Sequence, residues 1–289
     1  MKIRMIFAAL AATLLAAGCF QDVHEIDPSG KVGYVFPELH WANPDDAGTD
    51  IHDLLVVVSS QGGAFTKHYS NVRDFAREPL AVPVGEADIL VIANATEADG
   101  YQLSGLPPTK SSGMAQVLAS LRQPVSSLHQ AWFGPVTLGV EDGVVNEVNV
   151  SLERLLATIT IEFLNVPAGS VLSFTISGVA SSVILNDKKP AGESNNYVLG
   201  TLTGNGRQTF YCFPTISGQT RVILSVEVTP PGEPPYTCVC EVPALACGKE
   251  YTLQLDYNKL STYMYVTSHT INEWAEGWTV SGEILNPQA

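Results

Sequence analysis

Runs of alternating or continuous apolar residues follow one another along most of the chain. The segment ADILVIANA (87–95) is continuously apolar, which is typical of a strand buried on both faces. The segment GPVTLGVEDGVVNEVNVSL (134–152) alternates on both sides of Glu141-Asp142-Gly143, and this pattern predicts a hairpin. Turn residues recur roughly every 8–12 positions, which favours β-sandwiches. We therefore predict an all-β protein.

One segment departs from this pattern. SSGMAQVLASLRQ (111–123) has helical spacing and predicts a short helix. The rhythm of the strands changes near Val150, where one hairpin closes and a fresh series of strands begins. We predict the following division of the chain: a leader over 1–18, a flexible tether over 19–30, and two sandwiches over 31–150 and 151–289.

The first residues have the pattern of an export leader that ends on a cysteine. Lys2 and Arg4 precede an apolar run that is shorter than the roughly 20 residues a membrane span needs. The small residues of LLAAGC (14–19) then lead to Cys19, which resembles the position that bacterial lipoproteins acylate. We expect a lipid on Cys19 to hold the mature chain at the outer membrane. A plain secretory leader with an incidental cysteine is the alternative.

The charge of the chain excludes one class of partner. The formal net charge of −14 becomes about −16 when Lys2 and Arg4 leave with the leader. An acidic surface repels phosphate backbones, so nucleic-acid binding is not expected. Only 15% of the residues are charged and glycine and proline are plentiful, a composition that suits an extracellular β-protein.

Four cysteines follow Cys19, all in the last third of the chain: Cys212, Cys238, Cys240 and Cys247. An even number of cysteines in an exported chain predicts disulfides, and four cysteines allow three pairings. Cys238 and Cys240 are two residues apart and therefore face the same side of a strand. Unpaired thiols are one alternative. A zinc site is another, although the C-x-C-x6-C spacing lacks the C-x2-C knuckles of zinc ribbons.

No catalytic or metal-binding motif is present in the sequence. The six histidines form no H-x-x-x-H or H-E-x-x-H pair, and no G-x-S-x-G elbow occurs. The carboxylate pairs Asp45-Asp46 and Glu141-Asp142 fall in predicted turns, where we expect solvated side chains. We therefore predict no enzyme, no metal and no cofactor.

Tryptophans are the remaining candidates for binding. Exposed indoles stack on sugars, whereas buried indoles pack in cores, and core packing is the default interpretation. The four tryptophans are Trp41, Trp132, Trp274 and Trp278.

Two segments carry a resemblance to a family. SLERLLATITIEF (151–163) has Arg154, then Ala157, then an alternating strand, and HTINEWAEGWTVSGEI (269–284) combines a tryptophan, a glycine-containing turn and a last strand. With the leader, these segments resemble the fimbrillin-like lipoproteins of Bacteroidetes. The resemblance implies two transthyretin-like Greek-key β-sandwiches. It also implies a stalk, tip or anchor subunit of surface fimbriae, with other subunits as partners and adhesion to a host or bacterial surface as a further expectation.

The same resemblance implies assembly by strand exchange. A protease cuts after a basic residue and frees the first strand, and a neighbour's C-terminal strand fills the groove. After Cys19 the first arginine is Arg73, and the lysines before it are Lys31 and Lys67. We therefore expect an anchor that keeps its lipid and its first strand. The alternative function is a surface glycan-binding lipoprotein of a nutrient-uptake system.

Overall fold

The computed structural model describes residues 30–109, 113–122 and 128–259, together with the strands at 22–24, 268–273 and 278–282. Cys19, most of the leader and tether, and Trp274 lie outside the described residues. Nearly all described elements are strands, so the all-β prediction is confirmed.

The strands of the first half, in chain order, are β1 (Asp22–His24), β2 (Val32–Trp41), β3 (Leu54–Ser60), β4 (Gly63–Tyr69), β5 (Leu80–Pro83), β6 (Gly85–Ala93), β7 (Tyr101–Ser104), β8 (Leu118–Leu121), β9 (Trp132–Val140) and β10 (Val145–Arg154). Those of the second half are β11 (Ala157–Leu164), β12 (Val171–Ile184), β13 (Lys189–Thr203), β14 (Gly206–Cys212), β15 (Arg221–Thr229), β16 (Tyr236–Pro243), β17 (Glu250–Asp256), β18 (Ser268–Glu273) and β19 (Trp278–Gly282). The described helices are short: α1 (Val72–Phe75) and 3-10 turns at Pro44–Asp46, Gly113–Gln116 and Tyr257–Lys259.

The first sandwich consists of two sheets around one apolar core. Strands β1-β4-β3-β6-β9 form an antiparallel sheet, and β10-β2-β5 form the second. Strand β10 links them, because its last two residues pair with β9 while Val145–Leu152 pair in parallel with β2. Alternate residues of each strand point inward, as the period of a half-buried strand requires. The core includes Val35, Leu54, Phe65, Ile89 and Val150, all at most 1% exposed.

The hairpin predicted over 134–152 is only partly correct. The two strands and the turn exist, but β9 and β10 pair only at Glu153–Phe133 and Arg154–Trp132. The rest of β10 pairs with β2, whose Tyr34 N–H donates to the Val144 carbonyl at 2.9 Å. The chain therefore crosses from one sheet to the other at this turn.

Two further sequence predictions are corrected. The helix predicted over 111–123 is wrong: after the turn at Gly113–Gln116 the chain forms β8, which pairs with β7 and β12. Burial of Ala119 and Leu121 in a sheet outweighs the local helical preference. The tether over 19–30 is not entirely flexible, because Asp22–His24 form β1 against β4 and pair its otherwise open backbone edge.

The second sandwich contains strands from both halves of the chain. Strands β14-β11-β17-β18-β19 form one sheet, and β16-β15-β12-β8-β7 form the other, with β13 paired to β12. Phe163, Phe174 and Phe210 lie in its core, with the Phe174 and Phe210 ring centroids 5.5 Å apart. The hairpin β7-β8 precedes β9 in sequence, yet β8 pairs with Ser182–Ile184 of β12. The first half of the chain therefore contributes two strands to the second sandwich.

A third apolar cluster joins the two sandwiches. The predicted doubly buried strand is confirmed here: β6 directs Ile89 and Val91 into the first core, and Leu90 and Ile92 into this cluster. We call it the joining core; its other members include Val57, Tyr101, Met114, Val117, Ala119, Leu121, Phe133, Leu155, Leu156, Val183, Leu185 and Phe213. Each large side chain buried there contributes about 1.5–3 kcal/mol. The chain passes between the sandwiches at Leu155-Leu156, a few residues beyond Val150, and both leucines are fully buried.

Truncating the joining core is expected to destabilise the whole molecule. Phe213 is 0% exposed, and its ring lies edge-on to Tyr101 with centroids 6.4 Å apart. We expect Phe213→Ala to lower the free energy of unfolding by about 3–5 kcal/mol, because a cavity opens between the sandwiches. Urea unfolding followed by tryptophan fluorescence and far-UV circular dichroism measures the change.

The matched control is Val198→Ala, because Val198 is 61% exposed. This variant is expected to unfold within about 0.5 kcal/mol of the parent chain. A Phe213→Ala chain that loses no more stability than this control would show that the joining core does not hold the sandwiches together.

Candidate functional site

Strand β2 of the first sandwich is the candidate assembly site. Its burial alternates, with Gly33, Val35 and Pro37 buried and Tyr34 and Glu38 exposed. One edge pairs with β10 over eight residues. The other edge pairs with β5 only over Val32–Val35. Beyond Val35, this second edge has no strand partner within the described part of the chain.

A groove runs along the open edge of β2. Its apolar lining comes from Phe36 and Leu39 of β2, Val72 and Phe75 of α1, and Val145 of β10. Val145, on the neighbouring strand β10, leaves 58% of its surface exposed to this groove and solvent. Unpaired backbone groups next to an apolar groove are what an added strand from another chain requires.

The beginning of β2 is locked to the turn between β9 and β10. A Cβ atom added at Gly33 would lie 2.5 Å from the Glu141 carbonyl oxygen and 2.6 Å from Val140 Cγ1, so only glycine fits. The Gly143 N–H donates to the Val32 carbonyl at 3.0 Å. Glycine at position 33 thus lets β2 approach the end of β9 and the turn that follows it.

The two lysines considered as processing sites have different environments. Lys31 directly precedes β2, and 72% of its side chain is exposed, with Asp142 3.9 Å away. Lys67 lies within β4, only 14% of its side chain is exposed, and it donates to Glu78 at 2.7 Å. Burial alone would lower the pKa of Lys67, but the interactions with Glu78 and Tyr69 together outweigh it, so the pKa lies above its usual value.

Neither lysine offers a cut that would release β2 alone. A cut after Lys31 would separate Cys19 and β1 from the chain but leave β2 whole in its sheet. A cut after Lys67, inside β4, would also separate β3 from the rest of the chain. The connection from β2 to β3, residues 42–53, contains no lysine or arginine. The sequence drew attention to both lysines, but only the strand boundaries show what each cut would do.

A buried ion pair connects the sandwiches beside the joining core. The Arg154 guanidinium donates to the Asp46 carboxylate through Nε and Nη2, with distances of 2.6–3.1 Å, and to Glu250 through Nη1 at 2.8 Å. Asp46 also accepts from Trp132 Nε1 at 2.9 Å and is 3% exposed. The expectation of a solvated turn acid is therefore wrong for Asp46. A bidentate arginine compensates the cost of burying this carboxylate.

Replacing Arg154 is expected to destabilise the fold. We expect Arg154→Met to lower the free energy of unfolding by about 3–5 kcal/mol, because Asp46 keeps its buried charge without its partner. The control is Arg221→Met, since the side chain of Arg221 is 66% exposed where it pairs with Glu241. Its loss is expected to cost at most about 1 kcal/mol. Urea denaturation of both variants measures the difference, and equal losses would contradict a special role for Arg154.

The cysteines lie in apolar surroundings and do not form the predicted disulfides in the described structure, in which Cys238, Cys240 and Cys247 are free thiols. Cys212, Cys238 and Cys240 pack in the core of the second sandwich, whereas Cys247 packs against the joining core. Cys238 and Cys240 lie opposite Val226 and Leu224 of β15, so their neighbours are aliphatic. Burial raises the pKa of Cys240 and Cys247 to about 12.

The alkylation rate of Cys240 is expected to reflect the burial of its thiol. At pH 8 we expect native Cys240 to react with iodoacetamide on the order of 100-fold more slowly than after unfolding, because the thiolate is scarce and shielded. The raised pKa stabilises the fold below about pH 9, and this contribution is lost as the pH rises through about 12. Peptide mass spectrometry of native and urea-unfolded chains measures the labelling. A Cys240 peptide that stays unlabelled in urea until a reductant is added would instead reveal a disulfide.

The described tryptophans do not form a flat platform for a sugar. Trp132 is 6% exposed, and its ring meets that of Trp41 at an interplanar angle of 75° with centroids 5.6 Å apart. This geometry is the edge-to-face packing of a core. Trp274 and the side chain of Trp278 lie outside the described residues.

A polar network that the sequence pattern did not indicate lies at the base of the β7-β8 hairpin. The Asp99 carboxylate accepts from Thr96 Oγ1 at 2.6 Å and contacts His52 Nε2 at 3.2 Å, with His129 Nδ1 at 3.6 Å. Burial raises the pKa of Asp99, but the hydrogen bonds from Thr96 and His52 lower it more, so it lies below its usual value. These histidines are far apart in sequence, and only the fold brings them to one carboxylate.

The described residues contain no group of three or more histidine, cysteine or acidic side chains placed to hold a metal ion. No helix among them is long and apolar enough to cross a membrane.

The same arrangement of strands occurs in solved structures of bacterial surface proteins. The fimbrial anchor protein Mfa2 from Porphyromonas gingivalis aligns with a TM-score of 0.55 and 13% identity, over 86% of this chain and 98% of that chain. The C-terminally truncated tip fimbrial protein Mfa3 from the same organism gives 0.51 and 13%, over 84% and 100%. A protein described as a putative adhesin from Bacteroides thetaiotaomicron gives 0.59 and 12%, over 90% and 100%. This chain has their fold.

At these identities the likeness concerns the fold, and it confirms the fold expected from the resemblance to fimbrillin-like proteins. No protein-family model and no curated protein matches the sequence. An anchor protein and a tip protein both share the fold, so the fold alone does not distinguish these roles.

Proposed function

We propose that this chain is a cell-surface subunit of bacterial fimbriae, held in the outer membrane by a lipid on Cys19, and that it acts as the anchor. The observation that carries the anchor role is that no lysine or arginine lies between β2 and β3, over residues 42–53. A protease specific for these residues therefore cannot separate β2 from β3, and the first sandwich keeps β2. In the anchor Lys31 also stays uncut, so the lipid remains attached to the chain.

Assembly with a neighbouring subunit uses strand addition in this proposal. The open edge of β2 beyond Val35 borders the groove formed with α1 and β10. A neighbour's extended segment gains backbone hydrogen bonds along this edge and buries apolar side chains in the groove. The fold shared with fimbrial anchor and tip proteins supports this role, as do the leader and Cys19.

The test is the intact mass and assembly state of the protein extracted from its native membrane. We expect a chain that begins at Cys19, carries acyl groups and appears in a ladder of heavier species. Cys19→Ala should release the protein from the membrane fraction without changing its fold, because the lipid supplies the attachment.

Lys31→Gln provides the matched control for processing. It should leave the mass from Cys19 onward unchanged except for the substitution, since Lys31 is not cut in an anchor. A lipid-free chain that begins at Val32 or after Lys67 would contradict the anchor role. A lipidated monomer with no ladder would contradict fimbrial assembly altogether.

A further inference from the structure

The register of β1 shows where a lipid on Cys19 would hold the molecule. Asp22 lies opposite Thr66 and His24 opposite Ala64, in antiparallel pairing. The N-terminal end of β1 therefore points toward the end of β4 that carries Tyr69. Cys19 precedes Asp22 by three residues, so its α-carbon is within about 10 Å of that of Asp22. The lipid must then enter the bilayer close to this end of β4.

Two arginines follow β4 at this end of the sandwich. Arg73 lies in α1 and Arg77 just after it; both are exposed, and neither forms an ion pair with any described residue. This distinguishes them from most basic side chains of the described chain. The following contact a carboxylate: Lys31, Lys67, Arg122, Arg154, Lys188, Lys189 and Arg221.

Acidic groups near the two arginines are few and partly engaged. Asp50 and Asp74 line the same surface hollow as Arg73 and Arg77. The Asp74 carboxylate accepts from Asn71 Nδ2 at 2.7 Å. The hollow therefore has no excess of negative charge, although the mature chain carries about −16 in total. A face of this kind can approach an anionic membrane, which the rest of the acidic chain would resist.

We propose that the segment following β4 is the membrane-facing surface of the anchored protein, with Arg73 and Arg77 bound to lipid headgroup phosphates. The inference rests on the lipid anchor proposed above. Guanidinium groups suit this partner because their planar donors match phosphate oxygens. The lipid brings the arginines to the headgroups, and their contact fixes which side of the first sandwich faces the bilayer.

The experiment measures arginine accessibility on membranes. The purified lipidated full-length mature chain is inserted into phosphatidylcholine vesicles with or without phosphatidylglycerol, and arginines are labelled with phenylglyoxal. Peptide mass spectrometry gives labelling at Arg73 and Arg77 relative to Arg207. Arg207 is the internal control, because it is also exposed and has no ion pair with a described residue, but lies on β14 of the second sandwich.

On anionic vesicles we expect the relative labelling of each arginine to fall about fivefold, equivalent to roughly 1 kcal/mol per basic residue at an anionic surface. High salt should restore it, because salt screens the contact. Labelling that matches Arg207 on a chain whose lipid is confirmed by intact mass would overturn this inference and leave the anchor standing. Protection that depends on protein density instead of anionic lipid would also overturn it. A chain without lipid on Cys19 would overturn both proposals.

Discussion

The apolar cluster between the sandwiches is the constraint on which the rest of the molecule depends. Leu90 and Ile92 reach it from the outer face of the first sheet, and Val183 and Phe213 reach it from the second sandwich. Because these side chains are excluded from water together, the two sandwiches cannot separate without exposing a core of their own. The pair of Arg154 and Asp46 lies beside this cluster and adds a directional contact to a non-directional one.

In the first sandwich this packing holds one edge of β2 in place and leaves part of the other edge open to a partner. Strand β2 is bound along one edge by β10 and at its beginning by the close approach of Gly33. Its other edge is open beyond Val35 and borders the apolar groove. A partner can therefore add to β2 without disturbing the junction with the second sandwich.

The class of fold could be predicted from the sequence because strand patterns are local. The double burial of 87–95 follows directly from its unbroken apolar run. The helix over 111–123 failed because β8 takes its structure from β12, which the local pattern cannot show. The prediction of a solvated carboxylate at Asp46 was wrong for a similar reason, since its partner Arg154 is distant in sequence. From the sequence, the candidate site could be predicted only as two lysines. The strand boundaries, which decide what a cut at each lysine would separate, are known only from the fold.

The interleaved hairpin also has a consequence for the order in which the chain acquires its structure. Strand β8 is synthesised before β9 and β10, but its pairing with β12, in which Ser120 lies opposite Ser182, can form only after β12 has been synthesised. Until β12 is synthesised, apolar residues of β6 and β8 therefore stay uncovered. Contacts of such long sequence separation slow folding and favour intermediates that expose apolar surface and aggregate. A chaperone that shields β6 and β8 until β12 pairs would protect such an intermediate from aggregation.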